Sequence, residues 1–287
     1  MKPLRRVIAM TALVVVSSVS FAAPHSSIDL AYPKLFSAYD ACFMLYDLNQ
    51  QKMVSEYNPN NRCSERLAPN STFKVALSLM AFDQGLINQN TVFKWDGVKR
   101  ELPNWNQDQT PQSWLQNSAL WVSQGMAPQL GMAKIKQYLA GFHYGNQDFS
   151  GDPGQNNGLT QAWLSGSLRI SAVEQMAFLQ AMLLKQLPVS SQAVADTKHN
   201  MYLGKLKNGA EYYGKTGAGR HKMRETDSKP SQLRDGWFVG FIEKGAQRYI
   251  FVSNLTDRQV PKPGFSTAGS MTLKPITLQL LDDYFGQ

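Results

Sequence analysis

Histidine and cysteine are scarce in this 287-residue chain, with four of the first and two of the second. The histidines (His25, His143, His199 and His221) are scattered, and Cys42 and Cys63 fit no zinc spacing, which argues against a metal site. Charge is thin as well, at 17% of residues. The formal net charge of +8 drops to +5 once Lys2, Arg5 and Arg6 in the first 22 residues are set aside, and the other cations are dispersed. Without a dense basic arm, nucleic acid is not an expected partner. No internal repeat and no low-complexity linker appear, so nothing suggests an array of small modules. Only one long apolar run occurs, at residues 7–16. It is short against the roughly 20 residues that a membrane-crossing helix needs.

That run has a different meaning in its context. Lys2, Arg5 and Arg6 precede it, and the small residues Ser20 and Ala22 close it. A basic start, an apolar stretch and a small-residue end form a secretory signal peptide, expected over residues 1–22. The mature chain, residues 23–287, is then expected to be exported to the periplasm without stable membrane insertion. Both cysteines would reach an oxidising compartment, where they form either one disulfide or two buried thiols. The mature length can bury one large core or two small ones. A 43% hydrophobic content makes disorder the wrong default. Composition says nothing about oligomeric state.

Periodicity divides the mature chain into three parts. Residues 42–48 and 53–57 alternate or run apolar around Asn49-Gln50-Gln51-Lys52, which predicts a β-hairpin. Residues 71–84 are apolar nearly all round (Phe73, Val75, Ala76, Leu77, Leu79, Met80, Phe82) and stop at Gly85, as in a central buried helix. From about 90 to 200 the spacing is helical, most clearly at 131–142, 171–185 and 190–203. Residues 211–218, 236–243 and 247–254 then predict three strands, and 267–284 a closing helix. The class is α+β. An antiparallel sheet is assembled from both chain ends (about 23–85 and 205–287), and a helical part (about 86–204) is inserted between them in a single catalytic domain. A cleft is expected at the seam.

Chemistry concentrates at two places. Ser71-Thr72-Phe73-Lys74 is the only S-x-x-K in the chain, and positions i and i+3 share a helix face. A serine hydroxyl needs a base to take its proton. A lysine in an apolar helix can be that base, because desolvation lowers its pKa. A helix-capping serine with an outward lysine fits the four residues equally well. Lys215-Thr216-Gly217 on a predicted strand shifts the balance. S-x-x-K with K-T-G is a known pairing of class A β-lactamases and penicillin-binding proteins. Gly209 to Thr216 also matches the Walker A pattern, but a P-loop needs a following helix, and a glycine-punctuated segment follows here.

Five motifs in order then make the chain resemble a class D serine β-lactamase, of the oxacillinase family, across nearly all its mature length. They are PNSTFK with Ser71; Ser118-Ala119-Leu120, where the family has Ser-x-Val; Tyr144-Gly145-Asn146; Trp163 in AWLSGSLRIS; and Lys215-Thr216-Gly217 followed by Gly236-Trp237-Phe238-Val239-Gly240. The resemblance implies the serine β-lactamase/transpeptidase-like fold and hydrolysis of penicillin-type antibiotics through an acyl-enzyme on Ser71. It implies that Lys74 reacts with CO2 or bicarbonate to become N6-carboxylysine and acts as general base, held by Trp163 and Ser71. No other cofactor is implied. Ser118 would relay a proton with Lys215, and the backbone N–H groups of Ser71 and Ala218 would form the oxyanion hole. Thr216, Gly217, Ala218, Trp105 and Leu120 would line the substrate.

Leu120 departs from the family valine. An arginine for the substrate carboxylate is also not evident, with only Arg258 in the loop and Ser266 and Thr267 nearer the expected place. Trp105 either closes over substrate or packs the helical part. Tyr144-Gly145-Asn146 is read as a turn that bonds to backbone. Arg220, Lys222 and Arg224 are read as a solvated loop, since Glu225 and Asp227 follow. Rival functions are a β-lactam sensor domain, which acylates without turnover, and a penicillin-binding D,D-peptidase.

Overall fold

The computed structural model describes residues 27–223, 227, 229–262 and 267–286. The expected signal peptide lies outside them, as do Arg224, Glu225 and Ser266. Six strands form one antiparallel sheet: β1 (Tyr39–Asp47), β2 (Lys52–Tyr57), β3 (Tyr202–Lys205), β4 (Glu211–Arg220), β5 (Arg234–Lys244) and β6 (Gln247–Asp257). Their order is β2-β1-β6-β5-β4-β3, so the N-terminal hairpin joins the C-terminal meander through β1 and β6. The described helices are α1 (Ser27–Leu35), α2 (Phe73–Asp83), α3 (Pro111–Asn117), α4 (Leu120–Leu130), α5 (Met132–Gly141), α6 (Gly158–Gln161), α7 (Ala172–Leu183), α8 (Ser191–Asn200) and α9 (Gly269–Phe285). The sheet built from both chain ends and the helical stretch between them follow the expected α+β arrangement.

Strand alternation gives the sheet two buried faces. Phe43 and Leu45 of β1, with Phe238 and Ile242 of β5, pack into the core that includes Leu273, Leu280 and Leu281 of α9. Met44 of β1, with Trp237, Val239 and Phe241 of β5, packs into the larger core around α2. Every residue from Phe73 to Phe82 is buried, which accounts for an α2 sequence with almost no polar face. The disulfide alternative holds for the cysteines: Cys42 on β1 is bonded to Cys63 in the short 3-10 segment Pro59–Ser64, and both are fully buried.

Two elements differ from the periodicity. The helix expected over 190–203 stops at Asn200, and Tyr202 opens β3 opposite Tyr213. Helical spacing at its end is overridden by this pairing. The Walker-like residues run from a turn at Gly209 straight into β4, with no helix after Thr216.

Candidate active site

The nucleophile candidate sits where a turn becomes a helix. Asn70 takes a left-handed conformation (φ 49°), and Asn70–Thr72 forms a 3-10 turn that continues directly into α2. Thr72 ties the turn to Pro69, donating from both its N–H and its hydroxyl to the Pro69 carbonyl. One helical turn on, Lys74 Nζ donates to Ser71 Oγ at 3.1 Å. The lysine is fully buried, and that burial lowers its pKa from 10.5 to about 7. A serine hydroxyl and a partly neutral amine therefore face each other at ordinary pH. The outward-lysine alternative does not hold.

Strand β4 lies against this turn. Gly217 is placed so that a Cβ would fall 2.8 Å from the Pro69 carbonyl oxygen and 3.1 Å from Thr72 Cγ2. By the period of two, Lys215 projects to the same face. Its side chain is buried, and its Nζ donates to the Thr216 carbonyl at 3.0 Å. Burial, then the positive charges of Lys74 and Lys274, push its pKa well below the usual lysine range.

The pairing of β3 with β4 ends at Tyr213, and the Gly214 N–H still donates to Met201. Amides two and four residues on point to that same side, so the N–H groups of Thr216 and Ala218 face an edge with no strand partner. Ala218 thus presents a free donor beside the Ser71 turn.

Ser118 caps α3 in a left-handed conformation (φ 59°), at a corner formed with α4 that packs on α2. Its hydroxyl makes no hydrogen bond to Ser71 or Lys215 among the described residues. Trp105 is anchored next to it, because its indole N–H donates to the Asn117 carbonyl at 2.8 Å. The Trp105 carbonyl accepts in turn from the Trp121 indole at 3.0 Å. Both Trp105 and Leu120 are partly buried against the main core, so Trp105 packs the helical part and still keeps an open face.

Trp163 is fully buried and stacks on Phe73 (centroids 5.4 Å apart) and Phe149 (5.9 Å). Its carbonyl accepts from the Asn70 N–H at 2.9 Å, yet its own indole N–H has no hydrogen-bond partner among the described residues. A buried donor left alone is costly and rare. This one lies beside the residue that precedes Lys74. Asn146 clamps the segment that follows, donating to the Ser167 carbonyl and accepting from the Arg169 N–H. Gly145 (φ 56°) has no room for a Cβ against the Arg169 carbonyl. The Tyr-Gly-Asn turn therefore positions the Trp163 segment.

Not every candidate converges. Arg258 pairs with Asp40 and the Ser37 carbonyl at the end of β6. Thr267 is exposed, with its carbonyl taken by Arg234. Lys222, expected in a solvated loop, is buried, and its Nζ lies 3.7 Å from Asp152 Oδ1. The charge pattern around it gave no sign of this, because its ion-pair partner Asp152 is distant in sequence.

An S-x-x-K helix seated on a K-T-G strand defines a class. A family model described as "Penicillin binding protein transpeptidase domain" matches residues 41–282. Among curated relatives, Beta-lactamase OXA-1 of Escherichia coli is 44% identical, covering 84% of this chain and 86% of that protein. Probable beta-lactamase YbxI of Bacillus subtilis is 37% identical, over 77% of this chain and 76% of that one. The solved structure of the OXA-427 class D beta-lactamase superposes with a TM-score of 0.76 at 35% identity, covering 86% of this chain and 98% of that one. The chain belongs to the class D β-lactamases.

Proposed function

We propose that the protein hydrolyses the β-lactam ring of penicillin-type antibiotics through an acyl-enzyme on Ser71, and so confers antibiotic resistance on a cell that exports it to the periplasm. The carrying observation is the 3.1 Å approach of Lys74 Nζ to Ser71 Oγ inside a fully buried setting. Lys74 removes the Ser71 proton as Oγ attacks the lactam carbonyl carbon. The N–H groups of Ser71 and Ala218 hold the oxyanion, in a site where such donors are worth most. The ring C–N bond then breaks, and the leaving nitrogen takes a proton from Ser118, which recovers one from Lys74 with Lys215 in support. Water deprotonated by Lys74 then cleaves the ester, and the proton returns to Ser71 Oγ. Thr216 and Lys215 receive the substrate carboxylate, whose negative charge favours the protonated lysine that burial disfavours. Gly217 lets the strand approach, and Trp105 and Leu120 cover the ring.

Lys74 also fits conversion to N6-carboxylysine by CO2 or bicarbonate. Only a neutral amine adds CO2, and burial supplies one. The unpartnered Trp163 N–H and the Ser71 hydroxyl are donors that would hold the carbamate. When present, the carbamate supplies an anionic general base to both half-reactions.

The test is steady-state turnover of a chromogenic β-lactam by the mature protein and by Ser71→Ala. Many turnovers per enzyme, lost in a correctly folded Ser71→Ala, support hydrolysis at this serine. A single stoichiometric burst would instead mark a sensor, and cleavage of a D-alanyl-D-alanine peptide without lactam turnover a peptidase. An intact mass beginning at Ala23 in periplasmic extracts checks the export reading.

A further inference from the structure

We infer that Lys222 selects β-lactams whose acylamino side chain carries an anionic group; this rests on the acyl-enzyme reading above. A cavity of about 360 Å³ opens beside Ala218 and Gly219 and is lined also by Asn70, Asp152, Arg220 and Lys222. The Lys222 side chain is only 3% exposed, and its ammonium hydrogen-bonds to nothing among the described residues; Asp152 Oδ1 is the ion-pair partner, at 3.7 Å. A buried ammonium retains its desolvation cost unless oxygen atoms reach its donors. Among the described residues the lining holds two cations, Arg220 and Lys222, against the one carboxylate of Asp152. Arg220 is held in place by donating to the Gln232 carbonyl. Asp152 is held by Asn157, which donates to its Oδ2 at 3.0 Å and accepts from its N–H at 2.8 Å. The site is therefore built, and its described lining carries a surplus positive charge.

Substrate chemistry directs one group into it. The lactam carbonyl carbon carries the ring nitrogen, which leads to the carboxylate, and the ring carbon that bears the acylamino group. With the carbonyl oxygen at the Ala218 N–H and the carboxylate at Thr216, the acylamino group points the opposite way along β4. That direction leads past Gly219 to the cavity. A carboxylate on the side chain would give Lys222 an acceptor at hydrogen-bond distance, closer than the 3.7 Å of Asp152, in a charge-assisted bond.

The experiment compares kcat/KM for benzylpenicillin and for its α-carboxy analogue, carboxybenzylpenicillin. Lys222→Met, which keeps an unbranched stem of similar volume, should lower the carboxylated-to-plain ratio about tenfold, mainly through KM. Asp152→Asn removes the competing carboxylate and should raise the ratio. An unchanged ratio in Lys222→Met overturns the inference and leaves water as the occupant. Should that variant fail to fold, Asp152→Asn decides alone, and a ratio that does not rise overturns it. Absence of benzylpenicillin hydrolysis by the parent protein sinks the functional reading itself, whereas hydrolysis with an indifferent ratio sinks only the role of Lys222.

Discussion

Gly217 on β4 and Pro69 in the turn before Ser71 touch through a missing side chain: a Cβ on the glycine would lie 2.8 Å from the Pro69 carbonyl oxygen. The K-T-G strand and the nucleophile turn are thus set at backbone distance from each other, and Lys74 comes near enough for its charge to lower the Lys215 pKa. The acceptor is backbone, in a turn pinned by Thr72 and by the bond from Asn70 to Trp163, so it has little freedom to retreat.

Gly217→Ala should therefore fold with a loss of about 1–3 kcal/mol from overpacking. Acylation should slow by roughly 100-fold, as expected when reacting groups are displaced by about an ångström. Thermal melts and stopped-flow acylation measure the two effects. Parent-like acylation would mean that the strand and turn are not held at this distance.

The second expectation concerns Lys74, whose pKa burial lowers from 10.5 to about 7. In bicarbonate-free buffer the neutral amine is lost as pH falls through about 7, so turnover should decline below that point and recover partly on adding bicarbonate. The stability effect has a defined sign. Between about pH 7 and 10.5 the unfolded chain binds the lysine proton and the folded one does not, so this group costs stability as pH falls from 10.5 toward 7. Lys74→Met removes that cost; it should raise the melting temperature at pH 7 while abolishing turnover. A lower melting temperature would show that the amine contributes to the fold.

Trp163 separates the two half-reactions. Trp163→Phe keeps a ring to stack on Phe73 and Phe149 but removes the indole donor. The base that activates the deacylating water should weaken, while acylation still draws on substrate binding and the oxyanion donors. The acyl-enzyme should accumulate, visible by intact-mass spectrometry, and bicarbonate should restore part of the turnover. Trp163→Ala should show the same kinetics with a further loss of about 3–5 kcal/mol from the cavity. Turnover at the parent rate in Trp163→Phe would refute this role.

The disulfide closes a loop with a sequence separation of 21 between Cys42 and Cys63. Replacing both cysteines with Ala should cost about 3 kcal/mol, largely by freeing the unfolded chain. Chemical denaturation reads the loss directly. Because the bond joins β1 to the Pro59–Ser64 segment, outside the residues assigned to the site, kcat at 25 °C should hold. A collapse of kcat in a folded double variant would mean that the bond also shapes the site.

Local pattern determined much of this protein without help from the fold. The hairpin of β1 and β2, the all-apolar α2, the three strands β4–β6 and the closing α9 follow from local apolar patterning, periodic in some segments and continuous in α2. Ser71 and Lys74 were legible for the same reason, since three residues on a helix are neighbours by geometry. Tertiary contact decided the rest. β3 exists because Tyr202 meets Tyr213, although the helical spacing continued past it. The Cys42–Cys63 bond, the placing of Trp163 against Phe73 and the free edge of β4 at Ala218 each need segments that only the folded chain brings together. Lys222 is the clearest case. The charged residues that follow it in sequence predicted solvent, yet it is buried and its ion-pair partner is the remote Asp152. Burial is a property of what lies across space from a side chain, and no local window carries that information.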